Sequence, residues 1–308
     1  MIKIEIDDNI KGLIELRHLQ DIEDRVKSRI EELCVISDYK NLHDYFFDAS
    51  GNIDEKRLKK LIVGNKSDLI DIIDNIGEIP LIKNDPFEKL YTNFTKRVWS
   101  KSLLEKLNVR VCPYCNRQYT FTLANAGIRP QFDHFFPKSL YSYLSVSLYN
   151  LIPSCSICNS KKHALDTYKY DLYYPYEDEF GSNVIFQTSP INNDFSYWTG
   201  TNNSFDIKVK CTDEKQSSKV KNLNDYLKIE LLYKEHKDYV RDIIRNAVIY
   251  NDSRIDELLE QFPDLFQSKN EVIHLIFMSN INKESWDKRP LSKLTHDIYE
   301  EFKIFSSK

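Results

Sequence analysis

The chain has 308 residues, a net charge of −4 at pH 7, 41% hydrophobic residues and 29% charged residues. This composition is ordinary for a globular protein with a sizeable core. The seven glycines argue against a loop-rich all-β fold and favour long helices. No apolar run is long enough for a membrane-spanning helix, and the start lacks the pattern of a signal peptide. We therefore expect a cytoplasmic protein without a membrane partner.

Positive charge is concentrated in one part of this acidic chain. Residues 101–170 contain nine Lys and Arg against three Asp and Glu. A local positive field suits a polyanionic substrate. The alternative interpretation is a solvated surface, because charge runs usually have no other role.

The first part of the chain is predicted to be mostly helical. Isoleucines alternate with polar residues at Ile2, Ile4 and Ile6, which predicts a strand. Helical spacing of apolar residues follows over three stretches, residues 9–34, 53–76 (two shorter helices) and 87–107.

Two strands and then helices are predicted for the last part. The second strand is the clearer one, with Phe205, Ile207 and Val209 on one face. From about residue 217 the spacing is helical to the end. The predicted fold is mostly α with a small α+β insert. Its regions are a helical 1–100, a metal-binding 101–170, and a 171–308 of short strands followed by helices.

Four cysteines form two C-x-x-C pairs in the basic segment. A pair at this spacing grips one tetrahedral Zn²⁺, and two pairs complete a closed site, which is structural. Disulfides are less plausible in a reducing compartment. The alternatives are two turns without metal and a zinc ribbon that only binds a partner. The ligands we expect are Cys112, Cys115, Cys155 and Cys158.

Residues suited to hydrolysis lie between and beside the pairs. Asp133 and His134 are adjacent, and Asn150 and Asn159 follow. Histidine is the usual general base near neutral pH. Asp133 and Asn159 supply oxygen ligands of the kind that Mg²⁺ or Mn²⁺ prefers. A base, a divalent ion and positive surroundings together indicate cleavage of phosphodiester bonds.

This segment resembles the HNH endonuclease family, whose motif runs C-x-x-C, Asp-His, Asn, C-x-x-C-Asn and then Lys. The resemblance implies a ββα-metal core braced by a four-cysteine zinc site. It implies that His134 is the general base and that Asn150 orients it through backbone contacts. Asp133 and Asn159 would hold the catalytic Mg²⁺ or Mn²⁺. Asn159 stands where other members have the final His of the motif.

Basic residues near the motif are candidates for binding the substrate phosphates, with a solvated surface as the alternative for each. We place Lys161 and Lys162 in the first turns of the helix that begins at the second cysteine pair. His163 would lie about one turn beyond Asn159 on the same helix. The candidates are Arg117, Lys138, Lys161, Lys162 and His163.

The wider sequence is similar to bacterial HNH proteins of phage-defence systems, of the Septu and retron-associated kinds. The similar stretches are VCPYCNRQYTF, YYPYEDEF and RPLSKLTHDI. Such proteins commonly act beside an ATPase of the ABC/SMC-like type, so the resemblance implies that partner. The predicted function is a metal-dependent HNH endonuclease acting on nucleic acid, with DNA as the expected substrate. The alternative is a zinc-braced adaptor that binds nucleic acid or protein without catalysis.

Overall fold

The structure is a computed structural model, which describes residues 1–34, 39–79, 85–191, 195–279 and 281–306. Its contacts define two compact units. The N-terminal unit comprises Ile4–Val109 and Thr120–Glu177, and the C-terminal unit comprises Met1–Lys3, Arg110–Tyr119 and Asp178–Lys308. Both units are discontinuous in sequence. The division into three consecutive regions remains a sequence prediction.

The N-terminal unit is mostly helical, with one small antiparallel sheet. Its elements are α1 (Asp8–Cys34), α2 (Lys40–Phe46), α3 (Glu55–Val63), α4 (Lys66–Ile76), α5 (Pro86–Phe94), α6 (Val98–Leu107), β1 (Gln131–His134), β2 (Leu151–Ser154) and α7 (Ser156–Lys162). The C-terminal unit carries β3 (Val184–Pro190), β4 (Phe205–Cys211), α8 (Glu214–Leu227), α9 (Ile229–Lys234), α10 (Lys237–Ile249), α11 (Asp252–Gln261), α12 (Lys269–Phe277) and α13 (Ser292–Ser306).

Helix α1 organises the core of the N-terminal unit. Its buried stripe, Ile14, His18, Ile22, Val26, Ile30 and Leu33, repeats every three or four residues and confirms the predicted helix. Helices α2, α3, α5 and α6 pack against it. The neighbouring α3 and α4 begin at the capping side chains of Asp54 and Asn65, which accept hydrogen bonds from first-turn amides.

The helical stretch predicted over residues 87–107 is two helices, α5 and α6. The backbone of Arg97 is extended and forms the N-cap of α6. Its guanidinium donates to both carboxylate oxygens of Asp21 on α1, at 2.8 and 2.6 Å. This paired contact is specific to the planar arginine group, and apolar spacing along the sequence carries no signal of it.

The strand predicted from Ile2, Ile4 and Ile6 is wrong, because residues 1–6 form no strand. The amide of Ile2 donates to Pro113 O, and the amide of Ile4 donates to Pro175 O. Proline has no N–H with which to return the second bond of a ladder pair. The alternation reports burial of Ile2 and Ile4 and not sheet pairing.

The sheet of the C-terminal unit confirms the two predicted strands. β3 and β4 pair antiparallel from Val184↔Cys211 to Pro190↔Phe205. Two carboxylates of α13 cover backbone donors of β3: Asp297 accepts from Phe186 N, and Glu301 accepts from Thr188 N. These bonds satisfy N–H groups that an uncovered strand edge would present. Within the described residues, no helix has the length and apolar character needed to cross a membrane.

A buried histidine makes the stability of the N-terminal unit sensitive to acid. His18 is fully buried, its Nε2 donates to Val146 O at 2.8 Å, and its Nδ1 accepts from Trp99 Nε1 at 3.2 Å. Burial lowers the pKa of His18 to about 4, against the opposing effects of the Val146 carbonyl and Asp21. The folded ring is therefore neutral where an unfolded histidine is already protonated.

We expect acidification to cost the wild type more free energy of unfolding than it costs His18→Gln. The unfolded state takes up the proton first, so this contribution is intact above pH 6.5 and is lost as the pH falls towards 4. Urea titrations measure the free energy of unfolding at pH 7.5 and at pH 4.5. Between these two values it should fall by roughly 2–3 kcal/mol more for the wild type than for His18→Gln. The exposed His43→Gln is the control. An equal loss in wild type and His18→Gln would contradict this account.

Candidate functional site

The Asp133–His134 doublet ends the first strand of a strand–strand–helix unit. β1 and β2 pair antiparallel from Gln131↔Ser154 to His134↔Leu151, and α7 begins directly after β2 and contacts β1. Because side chains alternate along a strand, Gln131 and Asp133 share one face and His134 points to the other. The adjacent residues of the doublet thus meet different surroundings.

The ring of His134 is held by a backbone carbonyl and an aromatic side chain. Its Nε2 lies 2.9 Å from Ser145 O, and its ring meets that of Tyr91 edge-on with centroids 4.5 Å apart. A carbonyl oxygen only accepts, so Nε2 carries the proton and Nδ1 keeps its lone pair. The exposed fraction of His134 is only 8%. The ring has one orientation and one tautomer, as a proton acceptor requires.

The electrostatic surroundings keep His134 neutral. Burial is the main reason that its pKa is lowered to about 3; the charges of Lys138 and Lys162 act in the same direction, and the hydrogen bond to the Ser145 carbonyl opposes them. The imidazole is therefore unprotonated throughout the neutral range.

Asn150 closes the loop that joins the two strands. Its amide Nδ2 donates to Phe136 O and Leu144 O, both at 3.0 Å, and its Oδ1 accepts from Phe136 N at 2.7 Å. The backbone of Asn150 also accepts from Phe135 N at 2.9 Å. Leu144 directly precedes Ser145, the residue that fixes the ring of His134. This fully buried side chain therefore joins the backbone after His134 to the backbone just before Ser145.

Asp133 is paired with Lys162 inside the protein. The Lys162 ammonium lies 3.3 Å from Oδ1 and 3.2 Å from Oδ2 of Asp133, and it donates to His134 O at 2.6 Å. The side chains of Lys162 and Asp133 are 0% and 2% exposed. Burial lowers the pKa of Lys162, and the charge of Asp133 opposes that shift.

This pairing corrects the expected position and role of Lys162. Lys161 and Lys162 lie in the last turn of α7 and not in its first turns. The ammonium of Lys162 faces a carboxylate and a carbonyl in the interior, so it is not available to a phosphate at the surface. Lys161 is exposed, as such a contact requires.

Asn159 lies on the same side of α7 as Lys162. It is the fourth residue of the helix, which begins at Ser156 with Cys155 as its N-cap. Its Nδ2 donates to Gln131 Oε1 at 2.7 Å. Gln131 and Asp133 share a strand face, and Asn159 and Lys162, three residues apart, share a helix face. Asn159 and Asp133 therefore lie on the same side of the contact between β1 and α7.

The remaining basic candidates have different surroundings. Lys138 pairs with Glu88 at 2.7 Å. Exposed His163 is the C-cap of α7, with a φ of 45°, and so ends the helix instead of continuing it. Arg117 belongs to the C-terminal unit, where its Nε lies 2.9 Å from His236 Nε2.

The four cysteines of the two C-x-x-C pairs come together as the spacing predicts. All four are buried, and their sulfur atoms lie within 4.8 Å of one another. Tetrahedral ligation with Zn–S bonds of about 2.3 Å requires sulfur separations of roughly 3.8 Å, which this cluster reaches with small adjustments. Four buried thiolates are the donor set of a closed structural zinc site. The cluster Cys112, Cys115, Cys155 and Cys158 therefore fits Zn²⁺.

Local geometry shapes both cysteine turns. Asn116 follows the first pair in the left-handed region with a φ of 49°, a conformation that asparagine tolerates better than most residues. Its amide N donates to Cys112 O at 2.8 Å. In the second turn, Cys155 Sγ accepts from Cys158 N at 3.4 Å. Each turn is thus closed by a local hydrogen bond.

Three contacts of the site have no signal in the sequence. Tyr91 lies far upstream of the histidine that it packs against, and Ser145 contributes only its backbone carbonyl. The internal position of Lys162 is hidden as well, because the neighbouring Lys161 has the same chemistry. The adjacent Asp133 and His134, by contrast, can be recognised directly in the sequence.

We expect Cys112→Ser to lose bound zinc and to unfold at a temperature lower by of order 10 °C, because zinc binding contributes directly to folding. Metal analysis and thermal unfolding of the purified variant check both effects. Cys211→Ser lies outside the cluster and is the control, with zinc retained. A wild-type protein that unfolds at the same temperature with and without zinc would contradict a structural site.

We expect Asn150→Ala to lower the free energy of unfolding by about 2–4 kcal/mol, because it removes three buried hydrogen bonds and leaves their backbone partners unsatisfied. Chemical denaturation measures the loss. Asn159→Ala removes the same chemical group from a half-buried position with one side-chain bond. That control should lose less than about 1 kcal/mol.

Comparison with known proteins gives one distant similarity. A segment of the chain is 36% identical over 86 residues to the Septu protein PtuB of Bacillus thuringiensis. The matched part covers 26% of this chain and 32% of that protein, so the chain spans about a third of the length of this relative. No family model and no solved structure matches the chain.

Proposed function

We propose that the protein is a metal-dependent endonuclease of the HNH kind that hydrolyses phosphodiester bonds. The observation that carries the proposal is the state of His134. Its Nε2–H is committed to the Ser145 carbonyl, its Nδ1 keeps the lone pair, and burial keeps the ring neutral. Buried His18 also donates its Nε2–H to a backbone carbonyl, but its Nδ1 accepts from Trp99. The Nδ1 of His134, by contrast, keeps its lone pair in the segment that carries the buried Asp133 carboxylate.

In this proposal His134 is the general base, and the residues around it are positioning groups. Nδ1 of His134 takes a proton from the attacking water, and the Ser145 carbonyl stabilises the imidazolium that results. Asn150 holds the segment that carries Ser145 and so aims the ring. Tyr91 restricts the ring from its side.

Asp133 and Asn159 would hold the catalytic Mg²⁺ or Mn²⁺. The fit rests on donor chemistry: a buried carboxylate and an amide oxygen lie on one side of the β1–α7 contact, and a cationic group, the Lys162 ammonium, is already held there. When bound, such an ion polarises the phosphate and stabilises the leaving oxygen. The four-cysteine zinc site, which begins α7 at Cys155, would hold the helix that carries Asn159.

The proposed substrate is DNA, and the proposed setting is an anti-phage defence system. The basic segment 101–170 and the exposed Lys161 support a polyanionic substrate. The similarity to a Septu protein supports the defence role. An ATPase of the ABC/SMC-like kind is the proposed partner, on the strength of the sequence resemblance to phage-defence HNH proteins.

We expect His134→Ala to lower the cleavage rate by about 10²–10⁴-fold or more, because a general base is lost. The assay incubates plasmid DNA, single-stranded DNA and total RNA with the purified chain in Mg²⁺, Mn²⁺ or EDTA. His43→Ala is the matched control, since His43 is an exposed histidine of the same unit. Bound zinc and the unfolding temperature report on folding.

Cleavage that persists in folded His134→Ala would exclude His134 as the base. Absence of cleavage by the wild type, alone and with the proposed ATPase partner, would favour the zinc-braced adaptor.

A further inference from the structure

The buried ammonium of Lys162 lies where a cation is expected in the proposed active site. It contacts both oxygens of Asp133 within 3.3 Å and is anchored by His134 O at 2.6 Å. Its side chain has no exposure to solvent. The carboxylate proposed as a metal ligand is therefore already neutralised by a tethered positive charge from the same helix as Asn159.

We propose that Lys162 is a built-in competitor of the catalytic ion, which holds the affinity of the free protein for divalent cations low. This inference rests on the proposed function for the identity of the ion site. It assigns Lys162 a regulatory role. The sequence alone indicated only phosphate binding for the lysines of the basic segment.

The argument is electrostatic. An ion bound to the Asp133 carboxylate at about 2.1 Å would lie within a few ångströms of an ammonium that contacts the same oxygens. The two positive charges repel in surroundings that water does not screen, because both side chains are buried. Loading the ion then requires that the ammonium move from Asp133 or that negative charge be added.

The arrangement also protects the fold. A carboxylate buried without a counter-charge destabilises a protein strongly, and Lys162 supplies that charge whether or not an ion is bound. The same contact that stabilises the ion-free site therefore weakens ion binding. A substrate phosphate brings negative charge to the site and would shift this balance towards the loaded state.

The test measures Mn²⁺ binding to the full chain without nucleic acid, by calorimetry and by the loss of the free-ion paramagnetic resonance signal. Lys162→Gln removes the charge and keeps an amide that can donate to Asp133 and to His134 O. Lys161→Gln makes the same change at the exposed neighbour. Lys162→Gln combined with Asp133→Asn identifies the carboxylate that binds the ion.

We expect Lys162→Gln to bind Mn²⁺ at least about tenfold more tightly than the wild type, with Lys161→Gln unchanged and the double variant losing the gain. We also expect Mn²⁺ to raise the unfolding temperature of Lys162→Gln more than that of the wild type. Should Lys162→Gln fold poorly, Mn²⁺-dependent recovery of its folding, absent from the double variant, reports the same binding.

Equal or weaker Mn²⁺ binding by Lys162→Gln than by Lys161→Gln would overturn the inference. The nuclease proposal is judged separately, by the His134→Ala cleavage assay. Cleavage that depends on His134 together with equal Mn²⁺ affinities removes the competitor role alone. If Lys162→Gln binds Mn²⁺ tenfold more tightly but the protein cleaves no nucleic acid, the proposed ion site is supported and the nuclease proposal is contradicted.

Discussion

The geometry of the site depends on one buried amide, the side chain of Asn150. The loop between β1 and β2 has to return to the sheet and also present a carbonyl to His134. Asn150 makes both possible, because one planar group can donate twice and accept once. A smaller polar side chain cannot span Phe136 and Leu144 together, and an apolar one would leave their buried backbone groups unsatisfied. In the proposed function, the orientation of the histidine thus depends on a residue that does not contact its ring through any described hydrogen bond.

A second constraint is the buried ion pair between Asp133 and Lys162. β1 and β2 have four residues each, and a two-stranded sheet of this size is marginal alone. Lys162 ties α7 to β1 through Asp133 and the His134 carbonyl, so one ammonium joins a helix to the end of a strand. Burying both charges is costly, and the close contact compensates for that cost only while both partners remain. The same pair therefore stabilises the fold and sets the electrostatics of the proposed ion site.

The cysteine cluster and His134 are held in place by different kinds of contact. Each cysteine turn is shaped locally, by the left-handed Asn116 in one case and by the N-cap sulfur of Cys155 in the other. The four sulfur atoms lie within 4.8 Å of one another, which suits a structural zinc ion with four protein ligands. His134 instead depends on distant contacts, from Tyr91 and from the Ser145 carbonyl. The cluster that fits zinc and the proposed proton acceptor are thus formed by separate residues.

The sequence by itself determined what depends on neighbours along the chain. The apolar stripe of α1, the alternation of β4, the two cysteine turns and the Asp-His doublet are local patterns, and period and spacing report them directly. Tertiary structure alone decided which groups meet. It divided residues 87–107 at Arg97, left Ile2 and Ile4 without a ladder because their acceptors are prolines, and buried Lys162 while exposing Lys161. The reason is that burial and charge pairing are properties of three-dimensional neighbours, whereas periodicity records only which face of an element is apolar.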